Sequence, residues 1–233
     1  MPETTKPNNR LLAALPAKEY QRLLPKLKEI PLIYTKTIYE SDDIISRVYF
    51  PESGIVSLLS AVGERSLMEV GIVGNEGFIG LPVFLGVKTS NNRAIVQGAG
   101  VALEMKTADF LAECNNGGAL SRLLQRFTHS LLTQISQSAA CNRFHEIEAR
   151  LARWLLMTAD RMASNEFQIT QEFLSNMLGV RREGVSKAAA NIQQNKLISY
   201  SRGKISVLDR AGLEAAACRC YFIIKDEYKN FPG

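Results

Sequence analysis

The chain has 233 residues, enough for two modest domains or one large one. Its apolar fraction of 46% supports a real core, and no run approaches the length of a membrane span. A net charge of +5 suits a nucleic-acid binder without demanding one, since many enzymes carry as much.

The four cysteines, Cys114, Cys141, Cys218 and Cys220, are scattered, and the polar N-terminus has no apolar segment of the signal-peptide kind. A reduced, cytoplasmic setting without disulfides is the expectation. There is no internal repeat and no low-complexity tract. With His129 and His145 as the only histidines and no clustered carboxylates, neither a nucleophile–base pair nor a metal triad can be assembled, so an enzyme is not expected.

Met1–Asn9 reads as a polar leader. Arg10–Ile30 carries Leu11, Leu12, Leu15, Tyr20, Leu23, Leu24 and Leu27, interrupted by Pro16 and Pro25, which predicts short helices. From Pro31 to Thr107 the texture changes to short apolar runs: Val48–Phe50, Gly54–Ser60, Met68–Val73, Arg93–Gln97 and Val101–Met105. Turn signals separate them at Pro51–Gly54, Gly63, Gly74–Gly77 and Gly98–Gly100. Regularly spaced short strands indicate a sandwich or barrel-like β domain ending near Lys106.

Thr107-Ala108-Asp109 opens a helical turn through Phe110 and Leu111, and Asn115–Gly118 closes it. A long helix is predicted over Leu120–Asn142. Leu120, Leu124, Phe127, Leu131, Ile135 and Ser138 follow one another at steps of 4, 3, 4, 4 and 3, close to a heptad seam. Such a stripe packs on a partner helix or on its own β domain, and adjacent faces of one helix can serve both. His145–Met162 repeats the amphipathic pattern with Ile147, Leu151, Trp154, Leu155 and Thr158.

Ile169–Val207 is the most informative stretch. Thr170 is placed to cap a helix whose apolar face is Phe173, Leu174, Met177 and Leu178. Gly179 ends it, because glycine accepts the positive φ of a tight turn. A second helix starts near Arg181. Its Val185, Ala188, Ala189 and Ile192 form a buried stripe at i, i+3, i+4, i+7. Arg182, Glu183, Ser186 and Lys187 share the opposite, exposed side. Arg and Lys can donate to guanine O6 and N7, and Glu can accept from cytosine N4. Leu197–Tyr200 and Lys204–Val207 then read as strands around the turn Ser201-Arg202-Gly203. Across Arg181–Lys204, Arg181, Arg182, Lys187, Lys196, Arg202 and Lys204 face a single acid, Glu183. The whole is a winged helix-turn-helix pattern aimed at double-stranded DNA. Asp209 is placed to cap one final helix, roughly Ala211–Tyr228.

In this order, with these residues, the chain resembles the Crp/Fnr family of bacterial transcription regulators. The resemblance runs from about Leu11 to about Leu213. It rests on Val48-Tyr49-Phe50-Pro51-Glu52-Ser53-Gly54-Ile55-Val56, on Gly77-Phe78-Ile79-Gly80, on the long helix, and above all on Val180-Arg181-Arg182-Glu183-Gly184-Val185-Ser186-Lys187 with Leu197-Ile198. It implies an α+β chain: an N-terminal cyclic-nucleotide-binding-like β-roll (jelly-roll) over residues 1–116, a long dimerisation helix over 117–143, and a C-terminal winged helix-turn-helix over 144–233. It implies a homodimer on a palindromic site, joined through Leu120, Leu124, Phe127, Leu131 and Ile135, with RNA polymerase as a further partner. DNA contacts would come from Thr170, Arg181, Arg182, Glu183, Ser186, Lys187, Arg202 and Lys204. Lys187 stands where the family has a second Arg, which keeps the charge but loses the bidentate fork. Gly184 stands where the family often has Thr.

The family's nucleotide-binding members hold a cyclic phosphate with an acid after a glycine and with an Arg followed by Ser or Thr. The matching segment here is Gly80-Leu81-Pro82, then Arg93-Ala94, so the acid and the hydroxyl are both absent. Gly80 and Arg93 remain the candidate ligand residues, and control by cyclic AMP is not expected. An iron–sulfur centre would need a cluster of cysteines that the N-terminal region lacks, and haem is poorly supported by two helical histidines. Cys141 and His145 are one helical turn apart, so a two-fold axis could complete a Cys2His2 zinc site. The commoner reading of such a pair is a buried thiol beside an unrelated imidazole. Cys218 and Cys220, on one helix, would point about 200° apart and could not share an ion, which leaves a redox-sensitive thiol beside Arg219. No metal or cofactor is therefore assigned. The competing reading is a metabolite- or redox-sensing protein in which ligand binding by the β-roll is the main role.

Overall fold

The computed structural model describes residues 6–62 and 66–229. The turn expected at Gly63 and the first five residues of the leader lie outside these. The chain divides into two compact units. One holds residues 6–58, 72–131 and 228–229; the other holds 59–62, 66–71 and 132–227.

The first unit opens with two short helices, α1 (Arg10–Ala13) and α2 (Ala17–Leu23), and a 3-10 turn at Leu24–Lys26. Pro16 precedes α2 and Pro25 sits in the 3-10 turn, so the prolines divide the helices as the sequence indicates. Asn9 is fully buried and fastens this end. Its side-chain oxygen accepts from Leu12 N, while its amide donates to the carbonyls of Pro51 (2.9 Å) and Gly77 (2.8 Å).

The strands are β1 (Lys28–Leu32), β2 (Thr37–Tyr39), β3 (Arg47–Pro51), β4 (Ile55–Val62), β5 (Ser66–Val73), β6 (Asn92–Gly98) and β7 (Gly100–Lys106). They form two sheets, in the orders β1-β7-β3 and β2-β6-β4-β5. β1 and β2 go beyond the strands read from the sequence. β1 is an edge strand, the one place where Pro31 can sit without breaking a ladder. A short helix, α3 (Leu81–Phe84), lies between β5 and β6, and α4 (Thr107–Asn115) follows β7.

The core of this unit is aromatic. Phe78 lies 5.9 Å from Phe50, 5.5 Å from Phe110 and 5.5 Å from Phe127, centroid to centroid. Phe127 belongs to the long helix α5 (Ala119–Phe144), which the sequence places at Leu120–Asn142. Its first amide, Ala119 N, donates to the Glu19 carboxylate (2.9 Å), an acid set against the positive end of the helix dipole.

The second unit contains α6 (Ile147–Met162), β8 (Glu166–Gln168), α7 (Gln171–Leu178), α8 (Arg182–Gln194), β9 (Ile198–Ser201), β10 (Lys204–Val207), α9 (Arg210–Ala216) and α10 (Cys220–Lys229). β8, β10 and β9 form one antiparallel sheet in that order. Helix α6 is buried over Arg150–Ala159, and Trp154 donates from its indole nitrogen to Glu69 Oε1 (2.9 Å). The guanidinium of Arg150 donates to the carbonyl of Leu178, the last residue of α7, satisfying an end-of-helix acceptor. The expected single helix over Ala211–Tyr228 is two helices. The chain turns extended at Ala217 (φ −74°, ψ 149°) and resumes helix at Cys220. Arg210 and the Tyr221 hydroxyl both donate to Asp160, which ties α9 and α10 to the end of α6. The architecture is α+β: an antiparallel β-roll, a long helix, and a winged helix-turn-helix. Among the described residues no helix is long and apolar enough to cross a membrane.

Candidate nucleic-acid interface

The helix-turn-helix is α7 and α8. Thr170 caps α7, its hydroxyl accepting from Phe173 N at 3.1 Å. Gly179 closes α7 at φ 61°, and a Cβ there would also lie 2.9 Å from Met68 Sδ, so only glycine suits this corner. Helix α8 then begins at Arg182. Val185 and Ile192 are fully buried, and Ala188 and Ala189 are nearly so. This dry stripe fixes which side of α8 faces outward.

Arg181, Arg182, Glu183 and Lys187 are all exposed on that outer side. They crowd the N-terminal half of α8, the end that carries the partial positive charge of the helix. Ser186 is only half exposed, and its hydroxyl lies 2.9 Å from Gln171 Oε1 and 3.0 Å from the Arg182 carbonyl. It therefore braces α8 against α7 in this structure. Gly184 faces inward: a Cβ there would stand 3.1 Å from Ile147 Cδ1. The small residue matches its tight seat beside α6.

The wing is the β9–β10 hairpin, with Arg202 (φ 49°) and Gly203 (φ 77°) both left-handed at its tip. Two successive positive φ angles make the turn whose twist matches antiparallel strands. Arg202 is exposed. Lys204 is exposed too, but its ammonium pairs with Glu166 Oε2 at 2.6 Å across to β8. That contact, with the Ser206 hydroxyl, holds the Glu166 carboxyl below the usual carboxylate range. The wing is anchored to the start of α7, since Tyr200 donates from its hydroxyl to the Ile169 carbonyl (3.0 Å). Thr170, Gln171, Arg182, Tyr200 and Arg202 line an open groove of about 360 Å3 between wing and helices. A concave, cationic strip of this kind fits a sugar–phosphate backbone.

Residues 149–216, from α6 through α9, match the Crp-like helix-turn-helix domain. This part of the chain is a Crp-like helix-turn-helix domain. Several solved structures share the fold of the chain. A Crp-family transcriptional regulator of Thermus thermophilus superposes with a TM-score of 0.62 at 22% identity, covering 81% of this chain and 96% of its own. FixK2 of Bradyrhizobium japonicum gives 0.67 at 15% identity, with coverage of 82% and 98%. The c-di-GMP responsive regulator CLP of Xanthomonas campestris gives 0.64 at 15%, with coverage of 82% and 99%. No curated protein matches the chain.

The two candidate ligand residues of the β-roll have other occupations. Gly80 takes φ 115° ahead of α3 and packs against Val48, whose Cγ1 would lie 2.7 Å from a Cβ. Arg93 donates to the Thr37 hydroxyl (2.8 Å) and pairs with Glu40 Oε2 (3.2 Å).

The seam of α5 requires a correction. Leu120, Leu124, Phe127 and Leu131 are buried within the single chain, Phe127 in the aromatic core. Those four side chains are thus taken up by their own protomer, and Ile135 is half-buried. A different row is exposed: Gln125, His129, Leu132, Ser136, Ala139 and Arg143, at steps of 4, 3, 4, 3 and 4. This is a heptad row of mostly small or polar residues, and Leu132 on it is 56% exposed.

The thiols also require one. The break at Ala217 removes the helical phase that set Cys218 and Cys220 apart. Both sulfurs turn toward Cys141 and His145 at the end of α5, and the four potential ligand atoms lie within 4.8 Å of one another. Cys218 is held below the ordinary thiol range, first by the hydrogen bond with Cys141, while the same bond pushes Cys141 up. Cys114 is buried elsewhere, in the first unit, where burial pushes its thiol up to about 12.

Proposed function

We propose that the chain is a DNA-binding transcription regulator that acts as a homodimer on a palindromic site in the bacterial cytoplasm, with RNA polymerase as a further partner. The observation that carries this reading is the outer face of α8. Arg181, Arg182, Glu183 and Lys187 project together from a helix whose opposite face is locked into the domain. Arg182 and Glu183 supply the donor and acceptor that read base edges. Lys187 adds a point charge without a fixed fork, so discrimination at its base is looser than an Arg would give. Arg202 at the wing tip and the α7 amides hold the phosphates.

Dimerisation runs along the exposed row of α5 centred on Leu132. The small side chains of Ser136 and Ala139 let two such helices approach closely. Regulation does not run through cyclic AMP. With Arg93 tied to Glu40, and neither the acid nor the hydroxyl of the phosphate cassette present, the β-roll lacks the charges that hold a cyclic phosphate.

Selection of duplexes from a random library by the full chain, without added ligand, tests this reading. Enrichment of a palindrome with half-sites about 10 base pairs apart supports it. Retention of all sequences alike, with only salt-sensitive affinity, sinks it.

A further inference from the structure

We infer that Cys141, His145, Cys218 and Cys220 form a closed Cys3His site for one tetrahedral metal ion, zinc by its chemistry. Three thiol sulfurs and one imidazole nitrogen converge within 4.8 Å, from two chain segments 77 residues apart. Cys141 lies in the last turn of α5, and His145 follows one turn later, its amide donating to the Cys141 carbonyl (3.1 Å). Cys218 and Cys220 flank the start of α10, where the Tyr221 amide closes a turn on the Cys218 carbonyl (3.0 Å).

The spacing is that of a single ion. With Zn–S about 2.3 Å and Zn–N about 2.05 Å, tetrahedral angles put neighbouring sulfurs about 3.8 Å apart and sulfur and nitrogen about 3.6 Å apart. Cys141 Sγ and Cys218 Sγ are 3.4 Å apart, and Cys220 Sγ is 3.7 Å from His145 Nδ1. An iron–sulfur cluster spreads its thiolates over several iron atoms and needs them farther apart. Soft sulfur donors with one imidazole select zinc over magnesium or calcium, which take oxygen.

The surroundings supply a second, independent observation. Arg150 and Arg153 are buried to 6% and 5% exposure, and among the described residues the Nε of each has no hydrogen-bond partner. The charge of Arg153 acts on both Cys141 and Cys218. Two cations so placed need nearby negative charge. Three thiolates against a dication leave one net negative charge beside these guanidiniums. The extended residue Ala217, in a stretch without glycine or proline, is what brings Cys218 and Cys220 to bear together.

All four positions are filled by protein, which marks a structural site and not a catalytic one. The ion ties the end of α5 to the start of α10 and so braces the unit that carries the helix-turn-helix. This assignment does not depend on DNA binding.

The test is metal analysis of the full chain purified under reducing conditions, followed by replacement with cobalt(II). One zinc per chain is expected, and cobalt should give the intense visible bands of a tetrahedral centre with a thiolate charge-transfer band. C218S should weaken cobalt binding by more than roughly tenfold, since even second-shell changes cost that much. H145C should keep the ion and strengthen the charge-transfer band, and C114S should change nothing. A chain that is zinc-free as purified and silent on cobalt titration overturns the site. So does an iron–sulfur chromophore, or a Cys141–Cys218 disulfide that persists in reductant.

Discussion

The ring of Phe127 fills the space that a side chain at position 77 would need. A Cβ on Gly77 would stand 2.1 Å from Phe127 Cε2. The long helix is thus seated on the β-roll through a contact in which glycine is obligatory. Gly77→Ala should destabilise the protein by about 1–3 kcal/mol, as overpacking of a filled core does. Urea denaturation measures it; an unchanged midpoint would mean that α5 is not held by this contact.

The large apolar residues of α5 face inward, so the proposed dimer uses the exposed row of that helix. Leu132→Glu places a like charge opposite itself across a two-fold axis. The variant should run as a monomer in light scattering while keeping its helical circular dichroism. A dimer that survives this substitution would move the interface off the Leu132 row.

The ion pair between Lys204 and Glu166 makes the two wing cations unequal. Arg202→Ala should lower the slope of log affinity against log salt by about one, the signature of a lost phosphate contact. Lys204→Ala should lower it less, because Glu166 already offsets that charge. Equal slopes would show that Lys204 leaves Glu166 for the phosphate on binding.

Arg93 is held by Glu40 and Thr37. Cyclic AMP added up to millimolar concentration should therefore leave DNA affinity unchanged, and calorimetry should show no binding heat. A cyclic-AMP-dependent rise in affinity would contradict the proposed mode of regulation.

Much of the fold was legible because local signals agree with it. The glycine-punctuated runs mark five strands, Thr170 and Gly179 bound α7, and the stripe from Val185 to Ile192 orients α8. β1 was not legible, since Lys28-Glu29-Ile30-Pro31-Leu32 shows no alternation on an edge strand with mostly exposed residues. β8 is three residues long and offers no period. The α5 seam misled for a physical reason: spacing reveals a face but not what covers it, and the largest side chains went to the protomer's own core. The thiol site depended on the break at Ala217, where Glu214-Ala215-Ala216-Ala217 carries no helix breaker to announce it.

The role of α8 is tested most directly by the affinity of the wild-type chain and of Arg182→Ala for the selected palindrome and for an unrelated duplex, at one fixed salt. The account predicts that Arg182→Ala loses about 1–3 kcal/mol on the palindrome and relaxes the preference at one base position. The unrelated duplex should be bound nearly as before. An unchanged ratio between the two duplexes would show that the outer face of α8 does not read the sequence.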